Sequence, residues 1–261
     1  MSSYVARKDK SHYAYQMKEF SGDVIRNLDM NGLKRHQWDG DTPIPHLFLP
    51  SQTFLELSRT LDRLDISQDD RILFLNPDAS SPFTCMPVDF QVDLLTNILS
   101  HPNLDRVLMN RGFTFQDIEE KIIDQVPESL QRKITILPKN TRIDVYAALT
   151  DRSDMFISGD TGPMHIAAAK KIALQTEFRC RNATAVIGIF GATSGQIYGY
   201  DSSSPLHLGS PQNAPSKIFE SHPSCKNLTC IDKVFKTCPD VLCFDGLSAE
   251  PIIEYVHDYF T

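Results

Sequence analysis

The residues with the clearest chemical potential are Gly159-Asp-Thr-Gly-Pro-Met-His165. Two glycines flank Asp160 and Thr161, so the backbone can turn sharply and come close to a ligand. Pro163 suits the first position of a helix, where its missing N–H leaves nothing unsatisfied. Amides at a helix start attract anions, so Gly162 and Met164, with the hydroxyl of Thr161, form a natural seat for a phosphate or diphosphate. His165 on the first turn can donate to the same anion or to Asp160, although a lone histidine is often structural. Asp160 can accept amide hydrogen bonds within its own loop or reach a sugar hydroxyl. An ordinary strand-to-helix turn is the plain alternative, because glycine-rich turns are common.

Two other stretches carry polar groups suited to a nucleotide. Asn76-Pro-Asp-Ala-Ser-Ser-Pro-Phe-Thr-Cys-Met-Pro87 offers the hydroxyls of Ser80, Ser81 and Thr84 to phosphate oxygens, or is a serine-rich surface turn. Gln116, Asp117, Glu119 and Glu120 follow the next apolar run. A carboxylate in that place commonly binds ribose hydroxyls, and Asp117 is the candidate, against a solvated helix face.

These loops need elements to position them. From residue 70 onward, short apolar runs at 71–77, 105–110, 133–137, 155–158 and 185–190 read as buried strands. Helical stretches at 88–99, 114–125 and 141–149 separate the first four, with Thr114 and Thr141 as candidate caps. A last helix covers 249–259. Strands alternating with helices predict an α/β fold, a Rossmann-like parallel sheet with helices on both faces. Ligands of such sheets sit beyond the C-terminal ends of the strands, where the loops above fall. Residues 11–31 and 54–64 carry apolar stripes at helical spacing, which read as core packing, and 31–50 reads as a connector.

Composition narrows the function. The chain has 261 residues, 41% hydrophobic and 23% charged, which suits a soluble globular protein with a sizeable core. A net charge of −7 argues against a nucleic-acid partner. No apolar run is long enough for a membrane span, and the first ten residues lack a signal-peptide core. Four of the six cysteines, Cys225, Cys230, Cys238 and Cys243, crowd one segment. Their spacing is looser than that of common zinc modules. Free thiols and no metal are expected, with a structural zinc site as the alternative.

Gly159-Asp-Thr-Gly-Pro-Met-His-Ile-Ala-Ala-Ala169, followed by Ile187-Gly-Ile-Phe-Gly-Ala-Thr193, closely resembles the donor-domain signature of glycosyltransferase family 9, the heptosyltransferase-like enzymes. The segment 170–184 is longer than the turn usual in that family. The resemblance implies the C-terminal half of a GT-B glycosyltransferase. It covers roughly residues 45–245, which assigns 46–261 to the nucleotide-sugar-binding domain and leaves 1–45 as the remnant of an acceptor domain plus linker. It implies an ADP- or UDP-linked donor sugar and inverting, metal-independent transfer without a cofactor. A lipopolysaccharide or other glycan or lipid-linked acceptor would receive the sugar. The location implied is cytoplasmic, or peripheral at the inner membrane. The loop 136–141, with Leu-Pro-Lys139, resembles the family's base-binding loop, so backbone groups at Pro138 and Lys139 are candidates for reading the base. Lys139 is otherwise a surface lysine. In the family, the loop after the first strand carries Lys-x-Trp-Pro. Here Thr84 stands at the lysine position and Met86 at the tryptophan, so the cation that would neutralise the donor diphosphate is missing. No residue matches the general base of the acceptor domain. The alternatives are therefore a non-catalytic nucleotide-binding subunit, which could work with a separate acceptor-domain chain, a truncated or degenerate relative lacking transferase activity, and a nucleotide-sugar epimerase, which shares the two-domain architecture.

Overall fold

A computed structural model describes residues 46–47, 49–112, 117–171, 184–201, 216–221 and 242–261. In chain order its elements are β1 His46–Leu47, α1 Gln52–Arg63, β2 Ile72–Asn76, α2 Val88–Leu99, β3 Arg106–Met109, α3 Ile118–Ile123, α4 Glu128–Gln131 and β4 Ile134–Ile136. There follow α5 Ile143–Arg152, β5 Met155–Gly159, α6 Gly162–Ala168, β6 Lys170–Lys171, β7 Ala185–Phe190, α7 Gly195–Tyr198, β8 Lys217–Glu220, a 3-10 turn Leu242–Phe244 and α8 Glu250–Phe260.

Six strands form one sheet in the order β4-β3-β2-β5-β7-β8, and every neighbouring pair is parallel. This is the Rossmann-like arrangement that the alternating pattern predicts. Central strands of such a sheet are covered on both faces, so they read as unbroken apolar runs. All five residues of β2 and all six of β7 are buried. Alternation within a strand then divides the side chains between two cores. Leu73 and Leu75 pack with Leu94, Ile98, Ile122 and Phe260 from α2, α3 and α8. Ile72 and Phe74 face the other way, onto Leu57 and Leu61 of α1 and Val145 and Ala148 of α5. Phe74 meets Tyr146 and Phe156 edge-on, with ring centroids 5.2 and 5.3 Å away. Fully burying side chains of this size contributes about 1.5–3 kcal/mol each.

Several boundaries differ from the sequence reading. The helix expected at 114–125 begins only at Ile118, after Asp117 in a left-handed conformation with φ 42°, and Thr114 lies outside the described residues. Thr141 does not cap α5. Its hydroxyl and its amide both bond the Pro138 carbonyl, at 2.7 and 3.0 Å, and α5 starts two residues later. β8 was not expected. It is a half-exposed edge strand with charged ends, so it lacks the apolar run that marks the interior strands. A two-residue parallel pairing of β1 with β6 was likewise unforeseen. The helix expected within 11–31 and the cysteines Cys225, Cys230 and Cys238 lie outside the described residues. Cys243 is buried against Phe244 in the first core.

The end of the sheet remote from the loops above is closed by α8. Asn103 Nδ2 donates to the Phe260 carbonyl at 3.0 Å, and Arg71 donates to the same carbonyl. His101 sits here, buried, its ring 4.9 Å from that of His257. Burial lowers its pKa below the ordinary imidazole value, helped by His257, Arg71 and Lys133 nearby. Its Nδ1 accepts from the Asn103 amide at 3.2 Å, a bond that protonation there would destroy. A histidine that charges less readily folded than unfolded contributes stability above the unfolded value, and that stability is lost as pH falls. Melting temperature is therefore expected to decline as pH falls below about 6.5. His101→Gln should flatten that slope. A slope that survives the substitution would assign the acid sensitivity to other groups.

Candidate functional site

Three of the strands end in a shared polar rim. β2 closes on Asn76, β5 closes on Ser158 and Gly159, and Asn110 directly follows β3. These polar residues are all buried: Asn76 is 1% exposed, Asn110 5% and Ser158 0%. Buried polar groups need partners, and these find one another. Asn110 Nδ2 donates to Asn76 Oδ1 at 3.0 Å. Asn76 Nδ2 donates to the Asp78 carbonyl at 2.9 Å and to Ser158 Oγ at 3.0 Å, and lies 3.3 Å from Thr161 Oγ1. Ser158 and Thr161 hydroxyls are 2.8 Å apart. One continuous network therefore ties β3, β2 and β5 to the loop that leads into α6. The sequence reading missed Asn76, Asn110 and Ser158. The signal that could have revealed them is a polar residue ending each apolar run, at the C-terminal side of a parallel sheet.

That network accounts for Thr161, whose hydroxyl is turned into the rim. The residue precedes α6 in an extended conformation and makes no side-chain cap bond. The Met164 amide donates to the Thr161 carbonyl at 3.1 Å, and the Met164 side chain is fully buried. Met164 thus already spends the donor that the sequence reading offered to an anion. Gly162 is different. It is exposed and helical, and a side chain added to it would meet nothing within 4 Å. Its backbone lies outside the left-handed region, so no glycine geometry is required there. Gly159 is the glycine under constraint: a Cβ there would lie 2.5 Å from the Thr84 carbonyl oxygen.

That contact brings the loop after β2 directly over the start of the loop after β5. Ser81 organises the former. Its carbonyl accepts from the amides of Thr84 and Cys85 at 3.1 Å each and from the Thr84 hydroxyl at 3.2 Å. Its own hydroxyl accepts from the Phe83 amide at 3.3 Å. Ser80 is exposed at the tip. Met86, at the position where the family has tryptophan, is 2% exposed and packs in the first core. Behind the loop lies a cleft of about 360 Å³, lined by Asp78, Ser80, Cys85, Met86, Ile118 and Phe244. Burial, with the charge of Asp78, pushes the Cys85 thiol up to about 11, so it is not a thiolate nucleophile at neutral pH.

At the end of β3, Gly112 approaches Asp78 closely enough that a Cβ would lie 2.8 Å from the carboxylate. Glu119, rather than Asp117, is the carboxylate turned inward. It is 1% exposed, 3.1 Å from Arg111 Nε, and accepts from the Gly112 amide at 3.3 Å. Arg111 also reaches Glu120 at 3.2 Å. Asp117 is exposed. Pro138 and Lys139 are exposed in the turn after β4, the edge strand of the sheet. The rim therefore gathers Thr161, Gly162 and His165 with the 77–87 loop around the central strands, and the Lys139 turn stands at its margin.

His165 and Asp160 belong to the central group. His165 Nε2 is 3.8 Å from Asp160 Oδ1, an ion-pair distance too long for a hydrogen bond. Its Nδ1 lies 2.8 Å from the hydroxyl of Tyr200, a residue the sequence reading did not consider. Among the described residues, no group of three or more histidine, cysteine or carboxylate side chains is arranged to hold a metal ion. No helix among them is long and apolar enough to cross a membrane.

The chain is similar to the E. coli ADP-heptose lps heptosyltransferase II, with TM-score 0.57 and 13% identity, over 85% of this chain and 55% of that one. It is also similar to the glycosyl transferase family 9 protein from Veillonella parvula DSM 2008, with TM-score 0.64 and 13% identity, over 98% of this chain and 62% of that one. At such identity the likeness establishes the fold, and the chain spans little more than half the length of either protein. No curated protein matches the sequence. The family model for glycosyltransferase family 9 (heptosyltransferase) matches residues 50–228, the stretch that contains β2 to β8 and the whole polar rim, and the chain therefore belongs to glycosyltransferase family 9.

Proposed function

We propose that this chain binds a nucleoside-diphosphate sugar, ADP- or UDP-linked, at the C-terminal rim of its sheet, and that it serves as the donor-binding unit of a GT-B glycosyltransferase. What carries the reading is the conjunction at the rim. The stretch resembling the family's donor signature meets the 77–87 loop there, and the space over Gly162 is open. The diphosphate would lie against the Gly162 amide, with His165 and the exposed Ser80 as further donors. α6 has only seven residues, so individual amides matter more than its dipole. Pro138 and Lys139 would border the base. Asp117, exposed at the start of α3, remains the candidate for the ribose hydroxyls, while the buried Glu119 holds Arg111 and the Gly112 amide. Residues 46–261 would form this unit.

In the reaction proposed, an acceptor hydroxyl attacks the anomeric carbon from the face opposite the leaving diphosphate. A glycosidic bond forms with inversion, the bond to the phosphate oxygen breaks, and the nucleoside diphosphate departs. The acceptor is a lipopolysaccharide or another glycan. The acceptor's proton goes to a base contributed by the acceptor-binding unit, and no rim residue is assigned that role. Donors placed before the reaction stabilise the charge that develops on the leaving group.

The second reading is a nucleotide-binding protein without transferase activity. Thr84 favours it: it occupies the position of the family's lysine, and its hydroxyl is committed to the Ser81 carbonyl. Isothermal titration with ADP, UDP and their sugar conjugates tests both readings. Binding of at least one nucleotide is expected, and binding of none refutes both. Thr84→Lys restores a cation beside Gly159 and should tighten diphosphate binding by about tenfold. Sugar transfer by the parent chain, alone or with an acceptor-domain partner, would reject the second reading.

A further inference from the structure

His165 is held from a part of the chain other than its own loop. Tyr200 follows α7, on the crossover that leaves β7, and is 4% exposed. Its hydroxyl oxygen lies 2.8 Å from His165 Nδ1, and the two rings meet edge-on at 73°, with centroids 5.8 Å apart. On the far side of the imidazole, Nε2 faces Asp160 Oδ1 at 3.8 Å. The ring is thus bracketed by a phenol and a carboxylate. An ionised carboxylate only accepts, so the nitrogen facing it is the one favoured to carry the hydrogen. A neutral imidazole carries one such hydrogen, which leaves Nδ1 as the acceptor. Burial, with the charge of Asp160, keeps the Tyr200 phenol protonated, so it has a proton to donate.

We propose that Tyr200 is a positioning residue of the rim. Its hydroxyl donates to His165 Nδ1, fixes the neutral ring as the Nε2–H tautomer, and turns Nε2–H toward Asp160 and the diphosphate of a bound nucleotide. The ligand half of this inference rests on the reading of the rim as a diphosphate site. The tautomer half does not. The hydrogen bond on one imidazole nitrogen decides what the other can do, so a residue that never touches the ligand sets how His165 meets it.

The test is made on the full chain without ligand at about pH 8, above the ordinary range of imidazole titration. Nitrogen–proton correlation spectra of the labelled histidines report the tautomer, with His165 identified by the signal lost in His165→Gln. The parent should have Nε2 protonated and Nδ1 bare. Tyr200→Phe keeps the buried ring but removes the donor to Nδ1, leaving only Asp160 at 3.8 Å to bias the ring, so some Nδ1–H tautomer should appear beside the Nε2–H form. Affinity for ADP should fall about three- to tenfold. A proton on Nδ1 in the neutral parent overturns the proposal, and that measurement needs no variant to fold. A folded Tyr200→Phe protein that binds ADP as tightly as the parent overturns the positioning role even if its tautomers mix. A parent that binds neither ADP nor UDP refutes the rim as a nucleotide site, and the ligand half with it, while the spectra still decide the tautomer half.

Discussion

Asn76→Leu is expected to lower the stability of the fold by about 3 kcal/mol or more, the largest loss from any single change at the rim. The leucine side chain has the same branched shape and a larger volume, so it leaves no cavity, and any overpacking adds to the loss. What it removes is the hub of the polar network. Asn76 Oδ1 receives the Asn110 amide, and Nδ2 serves the Asp78 carbonyl and the Ser158 hydroxyl. Asn110 and Ser158 are 5% and 0% exposed, so water cannot readily take over. Leaving a buried polar group unsatisfied costs about 1–3 kcal/mol, and at least two groups are affected. Urea denaturation should show the midpoint falling with the slope unchanged. Ser158→Ala in the leucine background should then cost less than in the parent, because one of its two partners has already gone and only Thr161 remains. A loss below about 1 kcal/mol for Asn76→Leu would mean that the rim relaxes freely and that the network does not hold the loops together.

This network also marks where the sequence stopped being readable. The interior strands were legible because burial on both faces requires continuous apolar runs, as in Ile72-Leu-Phe-Leu and Ala185-Val-Ile-Gly-Ile-Phe. The edge strand β8 was not, because Lys217 and Glu220 sit in a half-exposed ladder that needs only its backbone to pair with β7. Helix starts were misjudged where a threonine had a competing use. Thr141 closes a turn on Pro138 instead of capping α5. The Asp160–His165 loop was legible as a motif, since its glycines, proline and histidine are adjacent in sequence. Its anchoring was not, because Asn76 and Ser158 are 82 positions apart and Tyr200 is 35 from His165. Only the topology, which sets β2 beside β5, brings such residues together. Asp117 and Glu119 make the same point on a smaller scale. Two residues apart, they differ in which way the first turn of α3 faces, and that turn follows a left-handed residue that composition does not announce.

Gly162→Val should weaken nucleotide binding by about tenfold to a thousandfold while leaving the fold intact. The residue is exposed, and an added Cβ meets nothing within 4 Å, so the protein has room for the side chain. Its backbone is outside the left-handed region, so valine brings no strain of that kind, and its helix propensity is no worse than that of the glycine it replaces. The open space that accepts the valine is the space proposed for the diphosphate. Filling it separates the phosphate oxygens from the Gly162 amide and displaces them from His165. One or two charge-assisted hydrogen bonds, at about 1.5–3 kcal/mol each, correspond to the range of weakening given. Gly159→Ala is the contrasting change. Its Cβ would lie 2.5 Å from the Thr84 carbonyl, a backbone atom, so the 77–87 loop must move, and melting temperature and affinity should fall together. His165→Ala should cost less binding than Gly162→Val, since the amide remains. A Gly162→Val protein that keeps the circular dichroism and melting temperature of the parent, and still binds ADP or UDP as tightly, would put the diphosphate somewhere other than over this loop.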